Sequence, residues 1–436
     1  MIKARFFYFF LILLFSSISS QTINVSSFEL PNGLKVILAP SNNMQAAAVC
    51  VYFMNGVRND PVDSRGISYL YQYLMFDGNE NLESYDHVLF INKMGGTVSG
   101  RVNYDNSFFY EVLPASEINV ALWLESERLK SLRLEDSNID YHKNQIFNRI
   151  NRLWESNQNF KAQTWVNAKI FEGSPYAYPL YGDLNKIRFL SNDRIKENYQ
   201  KFQNLSNIFL IIAGKFDINE VKAGINKFFQ NIPPGRRSPD PVFNASNQHI
   251  SYQVKNWLIP GLKINFTVFG IKSPAKISYN FLYFDFLRYY LTDPRFARID
   301  HILNQVNKLN IEIECSSSDY FEANALTIQL SSPKRINLEK AKYVLEQEFL
   351  ALTTNLIGNA EMKAIRSLME IDFLKSVSTL EDRCLRIGEF YHMFGELNFI
   401  DIQLVRLRKI TSYDILESAK KYLLKENQVI LNVYAE

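Results

Sequence analysis

Hydrophobic positions change rhythm along this chain, and the changes divide it into elements. Ile208 to Ile212 and Val429 to Val433 are apolar runs of strand length, and Ala46 to Phe53 is a further apolar run. Leu262 to Val268 alternates with period two, which predicts a half-buried strand. Ile336 to Thr353 and Asn359 to Leu380 read as long helical segments. One pattern occurs twice. Leu190-Ser191, a helical stretch through Ile195, Tyr199 and Phe202, then Asn207 and a strand recur as Ile410-Thr411, Ile415, Ala419, Tyr422, Asn427 and a strand, 220 residues on and without a gap. Ser191 and Thr411 both suit helix N-caps, so the chain reads as an internal duplication. Between the copies, Ile232 to Pro241 carries four prolines and a glycine, which cannot continue a helix or a central strand. The expected units are therefore 21–231 and 248–436, joined by a linker at 232–247, each mixing strands with long helices.

The first twenty residues belong to neither unit. Lys3 and Arg5 precede the apolar stretch Phe6 to Phe15 and the small residues Ser16 to Ser20. A charged start, an apolar middle and a small-residue end predict a secretory signal peptide over 1–20. The apolar stretch is about half the ~20 residues that span a bilayer, so no stable membrane span is expected. The expected location is exported: periplasmic in a bacterium, otherwise secreted. With 48 basic and 45 acidic residues in the whole chain, no excess charge calls for a nucleic-acid partner. Cys50, Cys315 and Cys384 lack metal-site spacing, and an odd count at wide intervals argues for buried free thiols over a disulfide framework.

The segment Gly66-Ile67-Ser68-Tyr69-Leu70-Tyr71-Gln72-Tyr73-Leu74-Met75-Phe76 resembles the zinc helix of the M16 (insulinase/pitrilysin) metallopeptidases, roughly G-L-A-H-F-L-E-H-M-M-F. Positions i, i+3 and i+4 share a helix face, where that family sets two zinc-binding imidazoles and a carboxylate that activates water. Here those positions are Tyr69, Tyr73 and Gln72, none of which does either job well. Further landmarks follow the family's order: Asn32 to Leu38 as an opening strand, Gly95-Gly96 leading to Phe108-Phe109-Tyr110-Glu111-Val112-Leu113-Pro114, Trp123-Leu124-Glu125-Ser126-Glu127-Arg128, and Ser174-Pro175-Tyr176 to Gly182.

The resemblance implies an α+β fold of two homologous halves, each a mostly antiparallel sheet packed with long helices, arranged as a clam shell. It places the family's remaining zinc-site glutamate at Gln145, or at Asn144 with a one-residue slip. The substrate strand falls on Ser99, Gly100 and Val102, and the substrate-holding arginine and tyrosine fall on Asn304 and Ile311. Every functional position is degenerate, so the expectation is no zinc cofactor and no catalysis. The implied role is an inert subunit that pairs with an active M16-like chain carrying H-x-x-E-H, or with itself as a homodimer, and contacts peptides. A stand-alone scaffold or peptide-binding protein is the alternative, and a zinc peptidase with unorthodox ligands is a third. Among the five histidines, Glu83, Asp86 and His87 are expected to share one helix face, a pattern that ordinary surface polarity explains. His142 beside Gln145 would be a rescue ligand, His301 beside Asp300 a solvated pair, and His249 and His392 carry no motif. No G-x-S-x-G element or phosphate loop offers another chemistry.

Overall fold

The computed structural model describes residues 24–235 and 252–436; the leader, most of the linker and His249 lie outside the described residues. Eleven strands among these residues form two sheets. The first contains β1 (Ser26–Glu29), β2 (Lys35–Pro40), β3 (Ala46–Phe53), β4 (Thr97–Val102), β5 (Ser107–Pro114) and β6 (Ile208–Gly214), in the order β1-β2-β6-β3-β5-β4. The second contains β7 (Gln253–Ile259), β8 (Asn265–Ser273), β9 (Glu312–Ser317), β10 (Asn324–Ser332) and β11 (Gln428–Ala435), in the order β7-β11-β8-β10-β9. Without β1 the two orders are the same once strands are matched along the chain. Each sheet also has one parallel pair, β2–β6 or β7–β11, among antiparallel neighbours. The protein is α+β, built from two similar halves.

The repeat seen in the sequence has a local cause in each half. Ser191 caps the helix Asn192–Phe202 by accepting the Arg194 N–H, and a short turn at Leu205–Asn207 leads into β6. Thr411 caps Ser412–Tyr422 by accepting the Asp414 N–H, and Lys425–Asn427 leads into β11. A side-chain oxygen at the cap satisfies a donor the first helical turn leaves open, so both copies start their helix at the same place.

Two expectations need correction. The strand expected from Leu262 starts at Asn265 and is buried on both faces, not one. Phe269 and Ile271 face the helices of their own half, whereas Phe266 and Val268 meet Ala162, Val166 and Ile170 of the other. The helix expected to run to Leu380 stops at Lys375; Thr379 then caps a new helix, Leu380–Phe394, by accepting the Asp382 N–H. The other long helix, Arg335–Leu352, lies within a residue of its expected limits.

The halves exchange covers. Helix Gln158–Ile170 of the first half packs on the second sheet, against Val429, Leu431 and Val433. Helix Leu380–Phe394 of the second half packs on the first sheet, setting Leu380, Cys384 and Ile387 against Ile37, Tyr52 and Ile211. Both contacts are close enough to require glycine. A Cβ on Gly270 of β8 would stand 2.2 Å from Ile170 Cδ1, and one on Gly388 would stand 2.4 Å from the Tyr52 ring. A buried ionic group adds another junction. Arg58 Nε lies 3.1 Å from Asp105 and its Nη1 2.6 Å from Glu322, while Asp105 also accepts the Phe321 N–H at 3.0 Å.

Candidate functional site

Helix Ile67–Leu74 carries the degenerate motif, and its position is set from several sides. Gly66 has φ +98°, and a Cβ there would lie 2.3 Å from the Tyr181 carbonyl oxygen, so only glycine fits this entry. Asp60 accepts the N–H groups of Gly66 (2.8 Å) and Ser68 (3.3 Å) and the Ser68 hydroxyl, which supplies the cap the helix lacks in its own sequence. Ile67, Leu70 and Leu74 enter the core, and Tyr71 donates its hydroxyl to the Ile195 carbonyl at 2.8 Å. The remaining face presents Tyr69, Gln72 and Tyr73 together, as the i, i+3, i+4 spacing requires.

These three side chains take two different jobs. Gln72 Oε1 accepts the Val102 N–H at 3.0 Å, tying the helix to the end of β4, the edge strand. Tyr69 and Tyr73 meet edge-on, with ring centroids 5.9 Å apart, and both accept hydrogen bonds from Arg149 Nη2, at 2.6 and 2.7 Å. Burial, then the neighbouring Tyr73 hydroxyl, push the Tyr69 phenol up to about 12. It therefore stays neutral near pH 7.

Arg149 is the residue the sequence reading missed. It lies on helix Asp136–Ser156, one turn beyond Gln145. Gln145 and Asn144 are exposed, and neither is bonded to the tyrosine pair. His142 does not act as a rescue ligand: its Nε2 lies 2.8 Å from Asp77 Oδ2, and its ring stacks on Tyr73 at 5.6 Å. The zinc implied by the resemblance does not fit these residues. Two phenols and two carboxamides replace imidazoles and carboxylates, and a guanidinium sits against both phenol oxygens.

The other predicted positions separate. Ser99, Gly100 and Val102 lie along β4, and Gly100 is required because a Cβ would stand 2.2 Å from the Phe109 ring. Asn304 and Ile311 lie together in the second half but bond to each other, at 2.7 Å.

The expectation for Glu83, Asp86 and His87 is overturned. The helix begins only at Asp86, Glu83 pairs with Arg133, and His87 points inward. Its Nε2 lies 2.6 Å from Glu111 Oε1, and Arg128 Nη2 lies 3.1 Å from its Nδ1. Glu125 completes this buried group, with Arg128 Nη1 at 3.5 Å. Burial, then the Arg128 charge, lower His87 to about 3, while burial raises both Glu111 and Glu125. Of the thiols, Cys50 and Cys384 are buried and free as expected, whereas Cys315 is exposed.

Beside Tyr69 a cavity of about 460 Å³ opens between the halves, reaching Gln163 and Thr164 on one wall and Ser316, Ser317 and Tyr320 on the other. None of its lining residues carries a charge.

Similarity to known proteins extends over both halves, but the boundary between the two family matches, at 184–190, falls before the last helices and strand of the first half. The family model for Insulinase (Peptidase family M16) matches residues 35–184, and that for the Peptidase M16 inactive domain matches 190–369. An uncharacterized zinc protease of Rickettsia bellii is 18% identical over 402 residues, 92% of this chain and 95% of that protein. Mitochondrial-processing peptidase subunit beta of Saccharomyces cerevisiae is 22% identical over 247 residues, 54% of this chain and 53% of that one. A crystal structure of a protease from Helicobacter pylori superimposes with a TM-score of 0.85 at 16% identity, covering 94% of this chain and 99% of that one.

Proposed function

Since the chain belongs to the M16 peptidase family, we propose that it is a non-catalytic member, exported, that pairs with an active zinc-bearing chain and completes its substrate chamber. The observation that carries this reading is the Arg149 guanidinium bonded to both Tyr69 and Tyr73. A water-activating site needs a Lewis-acidic metal and a nearby base. At this place the chain offers an organic cation, two phenols and an amide already bound to Val102. What remains useful is shape: a free sheet edge, a cavity between the halves and polar groups that orient a peptide, which contribute binding and positioning for chemistry done elsewhere.

Pairing is supported by the family and by a relative whose name is that of a subunit. Export is supported by the charged, apolar and small-residue order of residues 1–20. No helix among the described residues is long and apolar enough to cross a membrane.

The test is the native mass, metal content and activity of the chain purified gently from its own cells. A one-to-one complex with an H-x-x-E-H chain, with zinc on the partner only and no cleavage by this chain alone, is the expected result. Stoichiometric zinc on this chain, with chelator-sensitive cleavage, would overturn the reading. A zinc-free monomer or homodimer would replace pairing with the stand-alone binding role.

A further inference from the structure

The geometry points to a carboxylate-reading site at Arg149, Tyr69 and Tyr73, whose ligand is the C-terminal carboxylate of a peptide lying in the uncharged cavity between the halves. This deepens the non-catalytic reading and rests on it, because a guanidinium and a zinc ion cannot share the place.

Arg149 spends only Nη2 on the two phenols, which leaves the Nε and Nη1 hydrogens as charged donors, each able to make a single charge-assisted hydrogen bond to a carboxylate oxygen. The phenols accept from Arg149 and so turn O–H hydrogen outward. One of these lies between the rings, since Tyr69 and Tyr73 also bond each other, and the other is left to donate. The group is thus a set of donors around a positive charge, with no acidic partner: Arg149 forms no ion pair among the described residues, and its side chain is exposed. A cation held against two phenols repels an ammonium and attracts an anion.

The surroundings select which anion. Tyr69 forms part of the cavity wall, as does Ile150, the residue after Arg149. A volume of about 460 Å³ falls within the roughly 300–1,000 Å³ of small-ligand pockets. Its uncharged wall of hydroxyls, amides and aromatic rings suits a peptide end better than a free anion. Gln72 adds a directional cue. By taking the Val102 N–H it removes the last donor of the β4 edge, so a strand added there stops beside this helix. A chain that ends at a guanidinium ends with its negative terminus.

The test uses the folded chain, with its partner where native mass shows one. Two synthetic random octapeptide pools, alike except for a free C-terminal carboxylate or a C-terminal amide, are equilibrated with it, and retained peptides are counted by mass spectrometry. The expected result is an acid-to-amide retention ratio of about ten or more, the size of a hydrogen bond to a charged group. Arg149→Gln should bring the ratio to about one, and Arg149→Lys should keep part of it, with unchanged thermal melting showing that both fold. Sodium acetate should compete only at concentrations far above the peptide's. Equal retention of both pools, retention of neither, a preference for amidated peptides bearing Asp or Glu, or a ratio that survives Arg149→Gln would each overturn the inference. All four outcomes leave pairing untouched, because native mass decides that separately; zinc on this chain would instead bring down the proposed function.

Discussion

The carboxamide of Asn304 closes on Ile311 as a neighbouring strand would: Nδ2 donates to the Ile311 carbonyl and Oδ1 accepts its N–H, both at 2.7 Å. In the family resemblance these two positions belong to an arginine and a tyrosine that hold substrate. Here they hold a loop, one that includes Lys308 and Asn310 at positive φ. Asn304→Ala leaves two polar groups of a buried residue without partners and should cost about 1–3 kcal/mol in chemical denaturation. Asn304→Asp should cost at least as much near neutral pH, because it sets a carboxylate oxygen against the Ile311 carbonyl. An unchanged denaturation midpoint in either variant would show that the loop closes by other means.

Restoring the metal ligands alone should not restore a metal. A chain with Tyr69→His, Gln72→Glu, Tyr73→His and Gln145→Glu still has the Arg149 cation beside the rebuilt site. It should retain well under one zinc per chain after gel filtration, and adding Arg149→Ala should raise this to about one. Full zinc occupancy with Arg149 in place would mean the guanidinium swings away freely.

The exchanged helices predict that damage to either contact is felt by the whole molecule. Gly388→Ala drives a methyl into the buried Tyr52 ring, and Gly270→Ala drives one into Ile170 and Val166. Each should cost about 1–3 kcal/mol, the usual penalty for overpacking. Each should also lower a single cooperative transition rather than split it. Ile170→Val, which removes the Cδ1 atom in the way, should recover part of the Gly270→Ala loss.

His392 supplies a pH signature. Burial, then the Arg58 charge, lower it to about 3 from an ordinary 6.5, and Tyr52 Oη lies 3.2 Å from its Nδ1. The folded chain keeps this ring neutral while the unfolded chain protonates it. Its stabilisation is therefore complete above pH 6.5 and is lost as the pH falls toward 3, by at most roughly 1.4 kcal/mol per unit. Between pH 7 and pH 5, stability should fall less for His392→Gln than for the natural chain. An identical pH slope in the two would show that the ring is not buried neutral. Asp60 opposes the trend, since burial raises it to about 7 and its contribution is lost as the pH rises from about 4 to 7, which makes the comparison between variants the informative one.

What the sequence revealed was what is decided locally. The repeat was visible because Ser191 and Thr411 each cap the helix that follows them. The three motif side chains were visible because helical spacing alone sets them on one face. Arg149 was not, because it reaches Tyr69 across 80 residues and looks, in isolation, like any solvated charge on an amphipathic helix. His87 was misread for the same reason: nothing near it in sequence reveals that Glu111 and Arg128 close over it. The double burial of β8 was hidden because its second cover comes from the other half.

That exchange of covers bears on ancestry. Two identical copies, each lending its helix to the other's sheet, would form a swapped homodimer, an inexpensive route to a symmetric pair. Joined end to end, they would give this chain, with Gln158–Ile170 and Leu380–Phe394 still lodged in each other's halves. Neither half inherits a complete interior of its own, so the two have since been free to diverge only together.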